Sequence, residues 1–495
     1  MKVFKVKSLV FVTAMGDLLL FLGSYALIIK VAEWLLGYNQ VMEDHLWLYV
    51  PLGGLIVLVL MLTFDMYRNI FYRQISDIIL SIVLIVVSNT IIGLFIVGFL
   101  EVFRLPLWII LSAGLFQLVT ISLWRVITWY VRKTMHSKQS IMIIGDLDQA
   151  KSYTMKILEE QGHLFNIRYI YDYENGIENA FELMGTVDHV LLCSGVQSKH
   201  SEEIFIYCMR HNKNVFMIPD IFSINLNKAN FIQVEDVPIF NLSRFGLTNE
   251  QKFVKRVFDI VVASIGFLLA LPILIIVSVI IKLTDSGPVF FKQERLTAGN
   301  KKFHVFKFRT MVLNAEEMTG PVLATAKDPR ITKIGHFLRS TRLDEIPQLI
   351  NVLNGTMSIV GPRPERDFFV KQFVETTPSF EYCTAVKAGI TGLAQVLGKY
   401  TTSFEDKLRY DLMYIKNYTF LLDIKIIIKT LKVILTKEAS VGSDEDIDFD
   451  AYLKKKALNR VMTSYGCIIT SLNSSVVETE NNSKKAVSLG DDRVS

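Results

Sequence analysis

Residues 257–281 read VFDIVVASIGFLLALPILIIVSVII. As a helix this run would be about 38 Å long, enough to cross a hydrocarbon core of about 30 Å. The plainest reading is a spanning helix, but the flanks and the interior point elsewhere. Lys252, Lys255 and Arg256 precede or open the run and Lys282 follows it. Basic residues at both ends favour keeping both ends on the cytosolic side of a membrane. Asp259 sits near the start, and Pro272 in the middle removes one N–H from the helical ladder and can kink it. A re-entrant, kinked helix hairpin is therefore expected, with a fifth spanning helix as the alternative. Cysteine accessibility near residue 288 separates the two topologies.

Upstream, four apolar runs at about 9–36, 46–64, 76–100 and 107–131 are each close to the ~20 residues a spanning helix needs. With 51% hydrophobic residues and a mean hydropathy of +0.36, the chain is too apolar for an ordinary soluble enzyme. Lys2, Lys5 and Lys7 precede the first run, Arg68 and Arg73 divide the second from the third, and Arg132, Lys133 and Lys138 follow the fourth. The positive-inside rule puts both ends of this block in the cytosol. The first run is too long for a removable signal peptide. From about 140, short β-rich runs (IMIIG, NIRYIYDY, HVLLCS, NVFMIPD) alternate with helix-prone stretches, which predicts a small parallel-sheet, Rossmann-like α/β module. Its first strand ends in Gly145-Asp146-Leu147-Asp148, one glycine where a dinucleotide site carries three, so a structural or regulatory module is expected rather than a nucleotide site.

The expected organisation is four transmembrane helices over 1–136, the α/β module over 137–245, the re-entrant helix over 250–285, a cytosolic α/β catalytic domain over 286–440 and a mobile tail over 441–495. The tail starts with GSDEDIDFD and has no sustained apolar period. The four cysteines are widely spaced with no C-x-x-C pair, and the eight histidines form no ligand spacing, so neither a disulfide framework nor a catalytic zinc is expected. A net charge of +5 is modest for 495 residues, and no nucleic-acid partner is expected. Placement is more telling: residues 286–366 hold 13 Lys and Arg against 7 Asp and Glu, a local excess of 6. An anionic substrate should sit there.

Within that region KDPRITKIGHFLRSTRLDEIPQLINVLNGTMSIVGPRPER runs from Lys327 to Arg366. Asp344 and Glu345 follow Arg339 and Arg342 and precede Pro347 and an apolar helical run, which reads as a helix start. Isolated, such a pair would be an N-cap and a first-turn acid; the basic density around it raises the prospect of a phosphate site. An aspartate that attacks phosphorus forms an acyl phosphate, reactive enough to pass its phosphoryl group to another phosphate. Attack by one anion on another needs a divalent cation and fixed positive groups. Glu345 is placed to be a hard oxygen ligand for Mg2+, which binds through one or two carboxylates plus substrate phosphates. Lys307 and Arg309 alternate in FKFRTM, so a strand would put both on one face, either as phosphate ligands or as its solvated side. Arg363 lies between Pro362 and Pro364, a rigid turn that could hold its fork for phosphate, or merely a loop.

Taken in order from Gln251 to Glu438, the segments KRVFDIVVASIGFLLALPIL, SGPVFFKQER, FKFRTM, TRLDEIPQL, SIVGPRP, ITGLAQV and KLRYDLMYI resemble the bacterial sugar transferases, polyprenol phosphate phosphoglycosyl transferases with a single membrane-inserted catalytic domain. The preceding helices and α/β module are similar to the longer members, which initiate exopolysaccharide, capsule or O-antigen repeat units. The resemblance implies that Asp344 is the nucleophile that takes a sugar 1-phosphate from a UDP-sugar and releases UMP, with polyprenyl phosphate as the acceptor at a lipid bilayer. It implies that Glu345 holds Mg2+, that Lys307, Arg339 and Arg363 engage phosphate, that Asp411 is a supporting acid, and that Pro272 breaks the re-entrant helix. The chain departs from the family pattern at Thr297 and Asn300, where glycines are usual, and at Ala388, where proline is common. Two other readings stay open. A membrane-bound nucleotide sugar 4,6-dehydratase would need an intact glycine fingerprint and a Y-x-x-x-K pair, here found only at Tyr452 and Lys456 in the tail. A non-catalytic assembly scaffold would release no UMP. The sugar transferred and the oligomeric state, including a homo-oligomer, are left open by the sequence.

Overall fold

The computed structural model describes residues 2–36, 41–67, 73, 75–99, 106–135, 137–284, 287–312, 328–399, 402–435 and 448–471. They form two compact units, residues 1–218 with 447–495 and residues 219–446.

The first unit opens with four helices, α1 (Lys2–Leu36), α2 (Val41–Thr63), α3 (Ile75–Phe99) and α4 (Leu107–Met135). Helices α1, α3 and α4 are long and apolar enough to cross a membrane, while the apolar part of α2 is the shorter Tyr49–Thr63. Apolar side chains such as Leu19, Leu55, Ile91 and Leu115 point outward, as a lipid-facing surface requires. Several polar groups turn inward and pair with one another. Arg125 of α4 is fully buried in an ion pair with Asp17 of α1, and the Tyr67 hydroxyl donates to the same carboxylate at 2.9 Å. Gln117 donates to Ser24 Oγ at 2.8 Å. Unpaired, these groups would be costly in hydrocarbon.

Five elements after α4 build the start of a sheet: β1 (Gln139–Gly145), α5 (Leu147–Gln161), β2 (Phe165–Asp172), α6 (Glu178–Gly185) and β3 (His189–Leu192), followed by α7 (Ser198–Arg210) and β4 (Asn214–Met217). Strands β2, β1, β3 and β4 are parallel neighbours in that order. The buried run of β1 fits a strand covered on both faces. Gly145 has a packing reason to be glycine: a Cβ there would lie 2.4 Å from Cys193 Cβ. Asp146 caps α5 by accepting from the Gln149 N–H at 3.2 Å.

The second unit carries α8 (Ile221–Leu226), a hairpin of β5 (Asn230–Val234) and β6 (Val237–Asn241), and then α9 (Asn249–Thr284). The expected re-entrant hairpin falls on α9, which is helical throughout with Pro272 inside it. A proline removes a single rung, and the flanking apolar residues favour helix on both sides. Helix α9 is docked at two places. Near its start, Lys255 donates to Asp423 at 2.6 Å, Arg256 to the Val352 and Leu353 carbonyls, and Asp259 accepts from Ser358 Oγ and the Ile359 N–H. Further along, Leu274, Val277 and Ile281 pack with Phe308 and Leu338. Leu268, Leu269, Ile275, Ile276 and Leu283 remain exposed.

Beyond α9 come the antiparallel hairpin of β7 (Phe290–Thr297) and β8 (Lys301–Phe308), α10 (Lys333–Ser340), α11 (Gln348–Leu353), β9 (Ser358–Val360), α12 (Asp367–Thr376), β10 (Gly389–Thr391), α13 (Leu393–Leu397), α14 (Phe404–Lys416) and α15 (Phe420–Leu435). Strands β9 and β10 pair in parallel. The departures at Thr297 and Ala388 answer each other. Thr297 Oγ donates to the Thr356 carbonyl at 2.8 Å and accepts from the Ala388 N–H at 3.3 Å, so the N–H that a proline would lack finds a partner in the hydroxyl that a glycine would lack. Asn300 takes a left-handed φ of 57°, a conformation asparagine tolerates better than most non-glycine residues.

The mobile tail is corrected over part of its length. Residues 448–471 fold as α16 (Phe449–Lys455), β11 (Leu458–Thr463) and β12 (Gly466–Ser471), while 441–447 and 472–495 lie outside the described residues. Strand β12 joins the edge of β2 antiparallel, making a mixed six-stranded sheet ordered β11-β12-β2-β1-β3-β4. Phe449, Leu453, Cys467 and Ile469 are buried with Ile141 and Ile167. Gly466 is needed there, since a Cβ would lie 2.1 Å from the Ile170 carbonyl oxygen. The Tyr452 hydroxyl donates to the Met155 carbonyl and Lys456 Nζ lies over the Tyr452 ring, so this Tyr and Lys serve packing. Leu453→Ala should cost about 2–5 kcal/mol and speed amide exchange across Tyr169–Tyr171, which pair with β12; unchanged exchange would mean the hairpin is not part of the sheet.

Candidate active site

Asp344 and Glu345 lie in a 3-10 turn, Leu343–Glu345, between α10 and α11. The expected helix start at Asp344 is shifted, because α11 begins only at Gln348 with Pro347 as its cap residue. The acids are therefore not spent on capping. The turn is entered through Arg342 in the left-handed region, φ 56°, a conformation that costs a residue with a Cβ about 1–3 kcal/mol and clusters at functional sites.

Four basic side chains surround the two acids. Lys307 Nζ donates to Glu345 Oε1 at 2.9 Å, Arg363 Nη2 lies 3.6 Å from the same oxygen, and Arg342 Nη1 lies 4.0 Å from Oε2. The fourth, Arg339, leaves a buried Nη1 without a hydrogen-bond partner and exerts its charge on Asp344. An unpaired buried N–H of this kind is costly unless something else fills it. Burial would raise Glu345, yet the attraction of Lys307, Arg363 and Arg342 outweighs it and brings the carboxyl down to about 2. Asp344, 8% exposed, is raised by burial and by the charge on Glu345, against the pull of Lys307, Arg339 and Arg363. One acid is thus clamped as an anion, and its neighbour is held in a drier place as the more basic of the two.

Long-range contacts set this geometry. Asn351 of α11 accepts from the Phe306 N–H at 2.9 Å and donates to the His304 carbonyl at 2.7 Å, tying the helix after the acids to the strand that bears Lys307. The Arg363 turn is fixed on both sides: Gly361 N–H donates to the Thr391 carbonyl and Gly389 N–H to the Pro362 carbonyl, both at 2.8 Å. Arg295 donates to the Pro364 carbonyl at 3.1 Å. Gly361 allows that approach, since a Cβ would lie 2.4 Å from the Lys387 carbonyl oxygen.

Of the residues singled out in the sequence, Lys307, Arg339 and Arg363 gather at the acid pair. Arg309 is buried at 7% exposure just past the end of β8, with its backbone N–H on the Val289 carbonyl. Asp411 sits on α14, buried at 8% exposure, and its carboxyl is pushed up to about 8 by burial and by Glu365, against Lys407. Arg342 and Asn351 were not singled out; Arg342 lies three residues before Glu345, a spacing at which a charge pair forms readily in a helical turn, whereas nothing local marks Asn351.

Among the described residues no three His, Cys, Asp or Glu side chains converge as an all-protein metal cage. Mg2+ binds through one or two carboxylates completed by substrate oxygens, and the ionised carboxylate here is that of Glu345. Glu345 is the residue that would hold it.

The family described as bacterial sugar transferase matches residues 250–437, which contain every residue of the cluster. Over 409 residues the chain is 30% identical to a UDP-glucose:undecaprenyl-phosphate glucose-1-phosphate transferase of Klebsiella pneumoniae, covering 76% of this chain and 87% of that protein. It is 43% identical over 187 residues, 37% of this chain and 44% of the other, to a UDP-N-acetylgalactosamine-undecaprenyl-phosphate N-acetylgalactosaminephosphotransferase of Aeromonas hydrophila. It is 38% identical over 224 residues, 44% of this chain and 48% of the other, to a UDP-glucose:undecaprenyl-phosphate glucose-1-phosphate transferase of Escherichia coli K12. With a likeness to that Klebsiella protein over 76% of its own length, the chain belongs to the bacterial sugar transferase family.

Proposed function

We propose that the protein transfers a sugar 1-phosphate from a UDP-sugar to undecaprenyl phosphate, releasing UMP, as the first step in building a surface polysaccharide. The observation that carries this reading is the division of labour in the acid pair: Glu345 is clamped by Lys307 and Arg363 while Asp344, buried, accepts none of these contacts. In the first step an Asp344 carboxylate oxygen bonds to the β-phosphorus of the donor, the bond from that phosphorus to the UMP oxygen breaks, and UMP leaves with the electron pair. In the second, an oxygen of undecaprenyl phosphate bonds to the same phosphorus and Asp344 leaves as a carboxylate. The acceptor is already an anion, so no general base is required. Arg339 and Arg363 offset the charge that builds on the phosphoryl oxygens, and Lys307 keeps Glu345 ionised. When bound, Mg2+ would neutralise diphosphate charge and so permit attack by an anion.

The lipid acceptor must meet the water-soluble donor at an interface, and α9 suits that meeting. Its exposed flank is apolar, yet both Ala263 and Ile281 are buried against the same unit. Eighteen residues of helix cover about 27 Å, close to a whole hydrocarbon core of about 30 Å. A helix crossing the bilayer could not keep both points on one polar unit, so α9 is read as entering one leaflet and returning, with the catalytic unit on the cytosolic side of the inner membrane.

The relatives use donors with different sugars, so the donor is found by trial. Purified full-length protein in detergent with Mg2+ and undecaprenyl phosphate should release UMP from at least one of UDP-glucose, UDP-galactose, UDP-N-acetylglucosamine and UDP-N-acetylgalactosamine, and only with the lipid acceptor at multiple turnovers. Release from none of them would overturn the reading.

A further inference from the structure

We propose that Asp411, flanked by Glu365 and Lys407, hydrogen-bonds a hydroxyl group of the UDP-sugar donor and so sets the donor's position along the site; this deepens the function proposed above and rests on it.

Three elements bring this cluster together. The turn after β9 supplies Glu365, two residues from Arg363; α14 supplies Lys407 and Asp411, one turn apart and so on one face; the 3-10 turn Pro378–Ala385 supplies Cys383. The groups sense one another. Cys383 is pushed well above its ordinary value by burial, with the charges of Asp411 and Glu365 adding. Lys407 is lowered by burial, attracted by Glu365 and Asp411 and repelled by Arg363. That last repulsion links the cluster to the phosphate-binding side chains. Arg295 stands 3.6 Å from Glu365 on its other side.

Asp411 is 8% exposed, and its Oδ1 is a buried oxygen with no hydrogen-bond partner. Leaving such a group unpaired is costly, and an occupant that pairs with it returns that cost. The charge of Glu365, which reaches Asp411, disfavours a phosphate there, and Arg339, Arg342 and Arg363 gather around Asp344 and Glu345 instead. Next to the diphosphate of a UDP-sugar, on either side, is a ring rich in hydroxyls. A hydroxyl both donates and accepts, so it pairs with Asp411 in either protonation state and more tightly with the carboxylate, because hydrogen bonds to a charged group are the stronger. Cys383 offers no rival chemistry, since a thiol held protonated by burial is a poor nucleophile.

The hydroxyl can belong to the ribose or to the transferred sugar, and the two are separable. The full-length Asp411→Asn protein in detergent is titrated with UMP and with the UDP-sugar that the wild type turns over. About 10-fold weaker binding of both ligands assigns the contact to the ribose; the same loss for the UDP-sugar alone assigns it to the transferred sugar. In either case donors lacking the contacted hydroxyl should bind wild type and variant alike, a loss of discrimination that a general loosening of the fold would not produce. Unchanged affinity for both ligands, or discrimination against every deoxy donor as strong as in the wild type, would overturn the assignment. If Asp411→Asn does not fold, Glu365→Gln leaves Asp411 in place and removes a charge that raises it, so the pH at which donor affinity changes should move down; an unmoved profile overturns the assignment. Failure of the wild type to turn over any UDP-sugar would instead count against the transferase reading itself.

Discussion

Asp344→Asn will lower turnover by about 10³-fold or more, with UDP-sugar binding largely kept. An amide has nearly the shape of the carboxylate but cannot form the acyl phosphate, and a group that makes its main contribution in the transition state affects kcat rather than KM. The substitution also removes a buried carboxylate whose ionised form is opposed by burial and by Glu345, so the variant should fold at least as stably as the wild type. Steady-state UMP release beside a thermal unfolding midpoint tests both halves. Loss of activity together with a large drop in stability would show the residue to be structural, and retained activity would remove it from the chemistry.

Glu345→Gln should have the second-largest effect, and of another kind. It takes the negative charge from between Lys307 and Arg363 and removes the one carboxylate that those cations keep ionised. Half-saturation by Mg2+ should rise by about 10–100-fold, with part of the activity recovered at high Mg2+, which the Asp344 variant cannot do. Stability should respond to pH as well. The Glu345 carboxyl is depressed from 4.5 to about 2 in the folded protein, so its contribution is present above pH 4.5 and is lost as pH falls toward 2. The Gln variant lacks that contribution, and its unfolding midpoint should fall less steeply between pH 5 and 3. An unaltered Mg2+ response would place the cation elsewhere.

Much of this was legible in the sequence because it is local. Pro272 within an apolar run, Asp344 and Glu345 among arginines, and Arg363 between prolines are each read from neighbours in the chain. What escaped depends on contacts across the fold. Strand β12 pairs with β2 across nearly 300 residues, and its six residues alternate too briefly to stand out from a polar tail. Asn351 has no motif of its own, and its importance lies in bonding to β8. Pro272 was legible as a residue, whereas the packing of Leu274, Val277 and Ile281 against Phe308 and Leu338, which docks the helix beyond it, was not. Asp411 was visible as an acid, but only the fold shows it buried within reach of the charges of Glu365 and Lys407.

The central claim is that Asp344 carries the sugar phosphate between donor and lipid. Full-length protein mixed with its UDP-sugar and Mg2+ without acceptor, then digested and analysed by mass spectrometry, should show one phosphosugar on the peptide containing Asp344, absent from Asp344→Asn and lost when undecaprenyl phosphate is added. A wild-type protein that turns over yet never carries the adduct, or carries it on another residue, would contradict the account.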